Sequence, residues 1–314
     1  MAKKPVVVWI HGGGFSTGSA MEGISYDFDD PACIKIFLES SMANLRYTFR
    51  SLTLAMDIPI TIIIPANYHF RNRKIYKPGI RFQTMYLMHG GGEDDTSWLR
   101  RTMIEEYAEH NDLLIVCPSV HKSLGMNTAY GANYEDFLTK ELPEVMQCFF
   151  PAALTREDTF IAGQGAGAGA ALSLALKHPE LYSFCAALTP GIGAELSAEH
   201  LAEEMKTIPN LGGIFGTDPA YLEANDLKKA AEAHIAGGSP IPRYYISVSN
   251  HEMDAIRDTV YRQVRILREI GYEICFEEVE GMGHDYLYCD CQIRRVIEEM
   301  LPLKKKPLYP ADQA

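Results

Sequence analysis

Four stretches of the sequence carry residues that could act together on an acyl group. "EGMGHDY" holds His284 after a β-rich run, and "HEMDAIRD" holds Glu252 and Asp254 where a long amphipathic segment begins. "TFIAGQGAGAGAALSLALKH" (159–178) leads a short apolar run through a glycine turn into a helical pattern, and "YLMHGGGEDD" sets Gly91 and Gly92 just after another apolar run. Acyl transfer needs a nucleophile, a base to take its proton, an acid that holds the base in one tautomer, and donors aimed at the developing oxyanion. A strand–turn–helix of the form G-x-S-x-G presents a serine at such a turn. Here the three inner positions are Gln164, Gly165 and Ala166, so the nucleophile's place holds a residue without a side chain.

The order along the chain is nucleophile position, acid, then histidine, each after a strand, as this chemistry requires on a parallel sheet. His284 is the expected base. Asp254 is the preferred acid because of its distance from the helix end, with Glu252 as the competing carboxylate. A glycine-rich turn of this kind can also cradle a phosphate, but the glycines here do not fit G-x-G-x-x-G with an acidic residue on the next strand, which argues against a dinucleotide.

These residues need a scaffold that brings four strand ends together. From residue 85 onward, β-rich runs alternate with helical ones: "RRTMIEEYAEHN", "LLIVCPSV", "YEDFLTKELPEVMQCFF", "DTFIAG", "RYYISVSN", "MDAIRDTVYRQVRILREIG", "YEICFEEVEG" and "CDCQIRRVIEEMLPL". Strands joined through helices of this length require crossovers, hence a mostly parallel α/β sheet covered on both faces. Before residue 85 the alternation of "IKIFLESSMANLRYTFRSLTLAM" and the β-branched "PITIIIPANY" predict antiparallel strands. Residues 190–240, rich in Gly and Pro, read as an irregular cap-like insertion within a domain spanning 31–303, and 304–314 as a solvated tail.

The bulk numbers exclude several function classes. A formal net charge of -12 over 314 residues argues against nucleic acid and anionic membranes as partners. No apolar run reaches the roughly 18 residues of a membrane span, and the apolar start "PVVVWI" is too short for a secretion signal. Seven cysteines without framework spacing suit a reduced, cytoplasmic setting, and Cys289 and Cys291 in "YCDC" read as helix residues rather than a metal pair. No metal or cofactor is expected; a homo-oligomer is compatible with the sequence.

The segments "YLMHGGGEDDTSWLRR", "NTAYGANYEDFLTKELPEVM", "DTFIAGQGAGAGAALSLALKHPELY" and "MDAIRDTVYRQVRILREIGYEICFEEVEGMGHDYLYCD" together resemble the esterase D or tributyrin esterase family, which includes S-formylglutathione hydrolases, acetyl esterases and feruloyl esterases. The resemblance runs from about residue 34 to 302 and implies the α/β-hydrolase fold. The family's elbow reads G-L-S-M-G-G, against which Gln164, Gly165 and Ala166 replace Leu, Ser and Met. The resemblance implies His284 as base with Asp254 as its partner, oxyanion donors at the backbone of Gly91 or Gly92 and of Ala166, and a small acyl or aromatic ester as substrate. Gly165 implies a hydrolase impaired or inactive as it stands; the alternative is a pseudoenzyme that binds a small molecule or a protein. The N-terminal "KKPVVVWIHGGGFSTGSAMEGISYD" is similar instead to a type-B carboxylesterase segment, so residues 1–30 read as a peripheral extension.

Overall fold

The computed structural model describes residues 43–65, 79–191, 197–207, 211–216 and 218–308. The expectations for residues 1–30 and 31–42 lie outside these residues. Eight strands form one sheet: β1 (Ala43–Ser51), β2 (Met56–Ile64), β3 (Gln83–Met88), β4 (Leu113–Pro118), β5 (Thr159–Gln164), β6 (Phe184–Leu188), β7 (Arg243–Ser249) and β8 (Ile274–Val279), in the order β1-β2-β4-β3-β5-β6-β7-β8. β1 and β2 form an antiparallel hairpin, β2 runs antiparallel to β4, and every later neighbour pair is parallel. The residue types explain the division: β3 to β6 are apolar runs buried at nearly every position, whereas β1 alternates half-buried and exposed residues and keeps one face in water.

The helices are α1 (Ser97–Arg101), α2 (Ile104–His110), α3 (residues 134–149), α4 (Ala166–Lys177), α5 (Ala198–Thr207), α6 (Leu211–Phe215), α7 (Pro219–Ala224), α8 (Leu227–Gly237), α9 (Asp254–Ile270) and α10 (Tyr286–Arg295). Alternate strand residues feed two separate cores. Tyr86, Met88 and Ile161 join Phe137, Leu172, Ala231 and Val264 of α3, α4, α8 and α9. Met85, Leu87 and Phe160 join Trp98, Ile104, Ala108 and Ile293 of α1, α2 and α10 on the other face. The sheet is therefore doubly wound, with its cores on both sides and its carboxyl strand ends left to the loops. Among the described residues no helix is long and apolar enough to cross a membrane.

Two sequence expectations need correction. The stretch 190–240 is largely helical rather than irregular. Its α8 belongs to the main core through Leu227 and Ala231, while Leu201, Leu211 and Phe215 form a small separate cluster with Leu124 and Met126, against which Ala166 packs. Gly and Pro there punctuate short helices, such as Pro219 in the first turn of α7 and Gly238 closing α8 in the left-handed region. Residues 304–308 are anchored to the domain, although Lys304, Lys305 and Lys306 are exposed. Lys304 reaches the buried Asp158 at 2.8 Å, its backbone N–H donates to Gln83, and Leu308 bridges Arg81.

Candidate active site

Gly165 is the turn between β5 and α4, with φ 55° and ψ −120°, a backbone state that most side chains resist. The flanking glycines are there for contact. A Cβ on Gly163 would lie 2.3 Å from the carbonyl oxygen of Gly167, and one on Gly167 would lie 2.3 Å from that of His89. The helix thus leaves the sheet so closely that only hydrogen fits at both positions. At Gly165 a Cβ would meet nothing within 4 Å, so packing leaves room for a side chain and only the dihedral angles favour glycine. Its N–H donates to Leu188 on β6 at 2.9 Å, which holds the turn in place.

The loops after β7 and β8 deliver a carboxylate and an imidazole. Asn250 Oδ1 accepts from the Gly281 N–H at 3.1 Å, and Ser249 Oγ donates to the Met282 carbonyl, so the two loops are bound to each other. Across this junction His284 Nδ1 donates to Glu252 Oε2. The Glu252 side chain is 1% exposed, whereas that of Asp254 is 87% exposed and paired with Arg257 at 3.0 Å. The carboxylate that meets His284 is thus Glu252, in the loop before α9, and not the expected Asp254, which sits in the first turn of α9 and points outward. With Nδ1 committed to the carboxylate, Nε2 is the nitrogen left for a substrate.

His284 and Gly165 line one cavity of about 600 Å3, together with Gly91, Gln164, Ala166 and Tyr286. A Cβ on Gly91 would stand 3.5 Å from that of Ala166, so the glycine loop and the first turn of α4 adjoin. Gly92, at φ 77°, borders an adjoining cavity of about 210 Å3 instead, which leaves Gly91 as the better-placed of the two expected donors.

Glu93, which the sequence reading missed, organises this loop. Its Oε2 accepts from the Gly90 N–H at 3.0 Å, from Gln164 Nε2 at 3.0 Å and from the Tyr286 hydroxyl. Burial, then the hydrogen bond to Glu93, pushes the Tyr286 hydroxyl's pKa far up, so it stays a donor. The available signal was position: Glu93 follows the glycine run directly, and Tyr286 stands two residues after His284. His89 locks the start of the same loop. Its Nε2 accepts from the Val120 N–H at 3.0 Å, which makes Nδ1 the donor to the Gly90 carbonyl at 2.8 Å. Burial lowers the His89 pKa and keeps the ring neutral.

Backbone donors, a buried-acid histidine pair and a sharp strand-to-helix turn around one cavity are the parts needed for acyl transfer, with only the hydroxyl lacking at position 165.

The chain is similar to several known proteins. The profile of a family described as putative esterase matches residues 51–204. An acetyl esterase of Caldicellulosiruptor saccharolyticus is 23% identical over 272 residues, covering 82% of this chain and 98% of that protein. The substrate-bound structure of a fluorophosphonate-binding serine hydrolase F of Staphylococcus aureus aligns with a TM-score of 0.72 and 25% identity over 83% of this chain and 99% of that one. The S-formylglutathione hydrolase of Staphylococcus aureus aligns with a TM-score of 0.65 and 29% identity, covering 83% of this chain and 100% of that one.

Proposed function

We propose that the chain is an esterase D-type carboxylic ester hydrolase on the α/β-hydrolase fold, and that its cavity is an ester site that retains every acyl-transfer group except the covalent nucleophile. The substrate class is small acyl or aromatic esters, of the acetyl or feruloyl type. The likeness to an acetyl esterase and the dimensions of the cavity support this.

In this reading His284 Nε2 is the general base, and Glu252 orients the ring and stabilises its protonated form during reaction. The N–H groups of Gly91 and Ala166 receive the oxyanion. Gly165 cannot form an acyl-enzyme, so the chain as it stands holds esters or acids at this site and turns them over several orders of magnitude more slowly than a serine enzyme would.

The observation that carries the reading is the buried Glu252 on His284 Nδ1, in the same cavity as a turn whose Cβ direction is open. The test is Gly165→Ser. That variant is expected to hydrolyse p-nitrophenyl acetate and to be labelled by a fluorophosphonate. A folded Gly165→Ser protein with neither property would overturn the reading.

A further inference from the structure

The open direction at Gly165 suggests what takes the serine's place. We propose that the site uses an external hydroxyl, water or a short primary alcohol, as its nucleophile, and so passes the acyl group to it in a single displacement without an acyl-enzyme. This rests on the reading of the cavity as an ester site.

The missing group is –CH2OH, which is methanol less one hydrogen. A Cβ at Gly165 would touch nothing within 4 Å, so a one-carbon alcohol can lie where a serine side chain would project, in the cavity that His284 also lines. Gly163 and Gly167 cannot give way to close that space, because each already stands against backbone atoms. Nδ1 of His284 is held by Glu252, so a proton arriving on the ring goes to Nε2.

The step balances without any further reactant. His284 Nε2 takes the hydroxyl proton as the water or methanol oxygen bonds to the ester carbonyl carbon. The resulting oxyanion faces the N–H groups of Gly91 and Ala166. Collapse breaks the bond to the leaving oxygen, which takes the proton from Nε2, and the product is the acid with water or the methyl ester with methanol. The cost is the lost tether. Well-oriented intramolecular groups act at roughly 10⁵ M or more, so about 1 M methanol should leave turnover about 10⁵-fold or more below that of Gly165→Ser.

The experiment incubates the unmodified chain with p-nitrophenyl acetate and either methanol or tert-butanol at equal concentration, and measures methyl and tert-butyl acetate by gas chromatography. Methyl acetate is expected to form in preference to the bulky ester, to fall to the buffer rate in His284→Ala, and to fall at least about tenfold in Gly165→Ala, whose methyl group fills the space. Circular dichroism verifies that both variants are folded; if Gly165→Ala is not, the His284→Ala comparison and the alcohol preference decide. Equal methyl acetate in the unmodified chain and His284→Ala overturns the proposal, as does an absence of preference between the alcohols. If Gly165→Ser is an active esterase while the unmodified chain makes no His284-dependent methyl ester, this inference fails and the ester-site reading stands. If Gly165→Ser is inactive as well, both fail.

Discussion

Glu252 and His284 meet across two loops that follow adjacent strands, and the carboxylate is wholly buried while the imidazole is about half exposed. The carboxylate is therefore fixed and the imidazole is open to a ligand. In the Gly165→Ser background, Glu252→Gln should lower kcat by about 10⁴, the loss expected when a histidine's orienting carboxylate is neutralised. Asp254→Asn should change it little, because Asp254 faces solvent and Arg257. Steady-state kinetics on p-nitrophenyl acetate separate the two, and a larger loss for Asp254→Asn would return the acid's role to that residue.

Gly165 and Gly167 should respond differently to substitution. Gly165→Ala and Gly165→Ser incur the unfavourable backbone angles alone, about 1–2 kcal/mol. Gly167→Ala forces a methyl group against the His89 and Met88 carbonyls, 2.3 and 2.6 Å away. It should cost more, about 3 kcal/mol as severe overpacking does. Urea denaturation midpoints of the three variants provide the ranking, and an equal loss at 165 and 167 would contradict the contact argument.

Glu93→Gln replaces one carboxylate oxygen of the residue that gathers Gly90, Gln164 and Tyr286. The glycine loop would lose part of its hold rather than its fold. In the Gly165→Ser background kcat should drop by roughly 10²-fold, as expected for a displacement of about 1 Å near the reacting atoms, with KM nearly unchanged. A variant whose KM rose while kcat held would show that Glu93 acts on substrate binding instead.

Acid should loosen the same loop through His89. Burial holds the folded-state pKa of His89 below the ordinary 6.5, so the unfolded chain binds the proton more readily. Its contribution to stability is fully present above pH 6.5 and is lost as the pH falls toward the folded value, where a proton on Nε2 would confront the Val120 N–H. Urea midpoints between about pH 8 and about pH 5 should therefore fall toward acid, and less steeply in His89→Gln. An identical slope in both proteins would remove His89 from the account.

Much of this arrangement was legible in the residues. The alternation of apolar strands and amphipathic helices after residue 85 follows from periodicity, and the alternating residues before it gave the β1–β2 hairpin. The elbow was legible because three closely spaced glycines between a strand and a helix have few other uses. His284 was legible from its place after the last strand. The carboxylate beside His284 was misjudged because Glu252 and Asp254 are two residues apart, and only the direction in which the chain enters α9 decides which one faces the histidine. The Glu93, Gln164 and Tyr286 network lay beyond sequence reasoning for a similar reason: its members are up to 193 residues apart and meet only when β3, β5 and α10 are assembled. The helices between 198 and 237 were obscured by turn residues that cap short segments.

The open Cβ direction at Gly165 also bears on how the chain could change over generations. Glycine and serine codons can be interconverted by a single base, and the surrounding atoms ask for no compensating substitution at this position. Gly163 and Gly167 have no such freedom. Where the Gly165 codon is GGU or GGC, the glycine and serine forms differ by one base, and a modest folding cost rather than a rebuilt pocket separates them. With such a codon, a population carrying this gene would stay one base change away from a serine at the turn for as long as Glu252 and His284 remain.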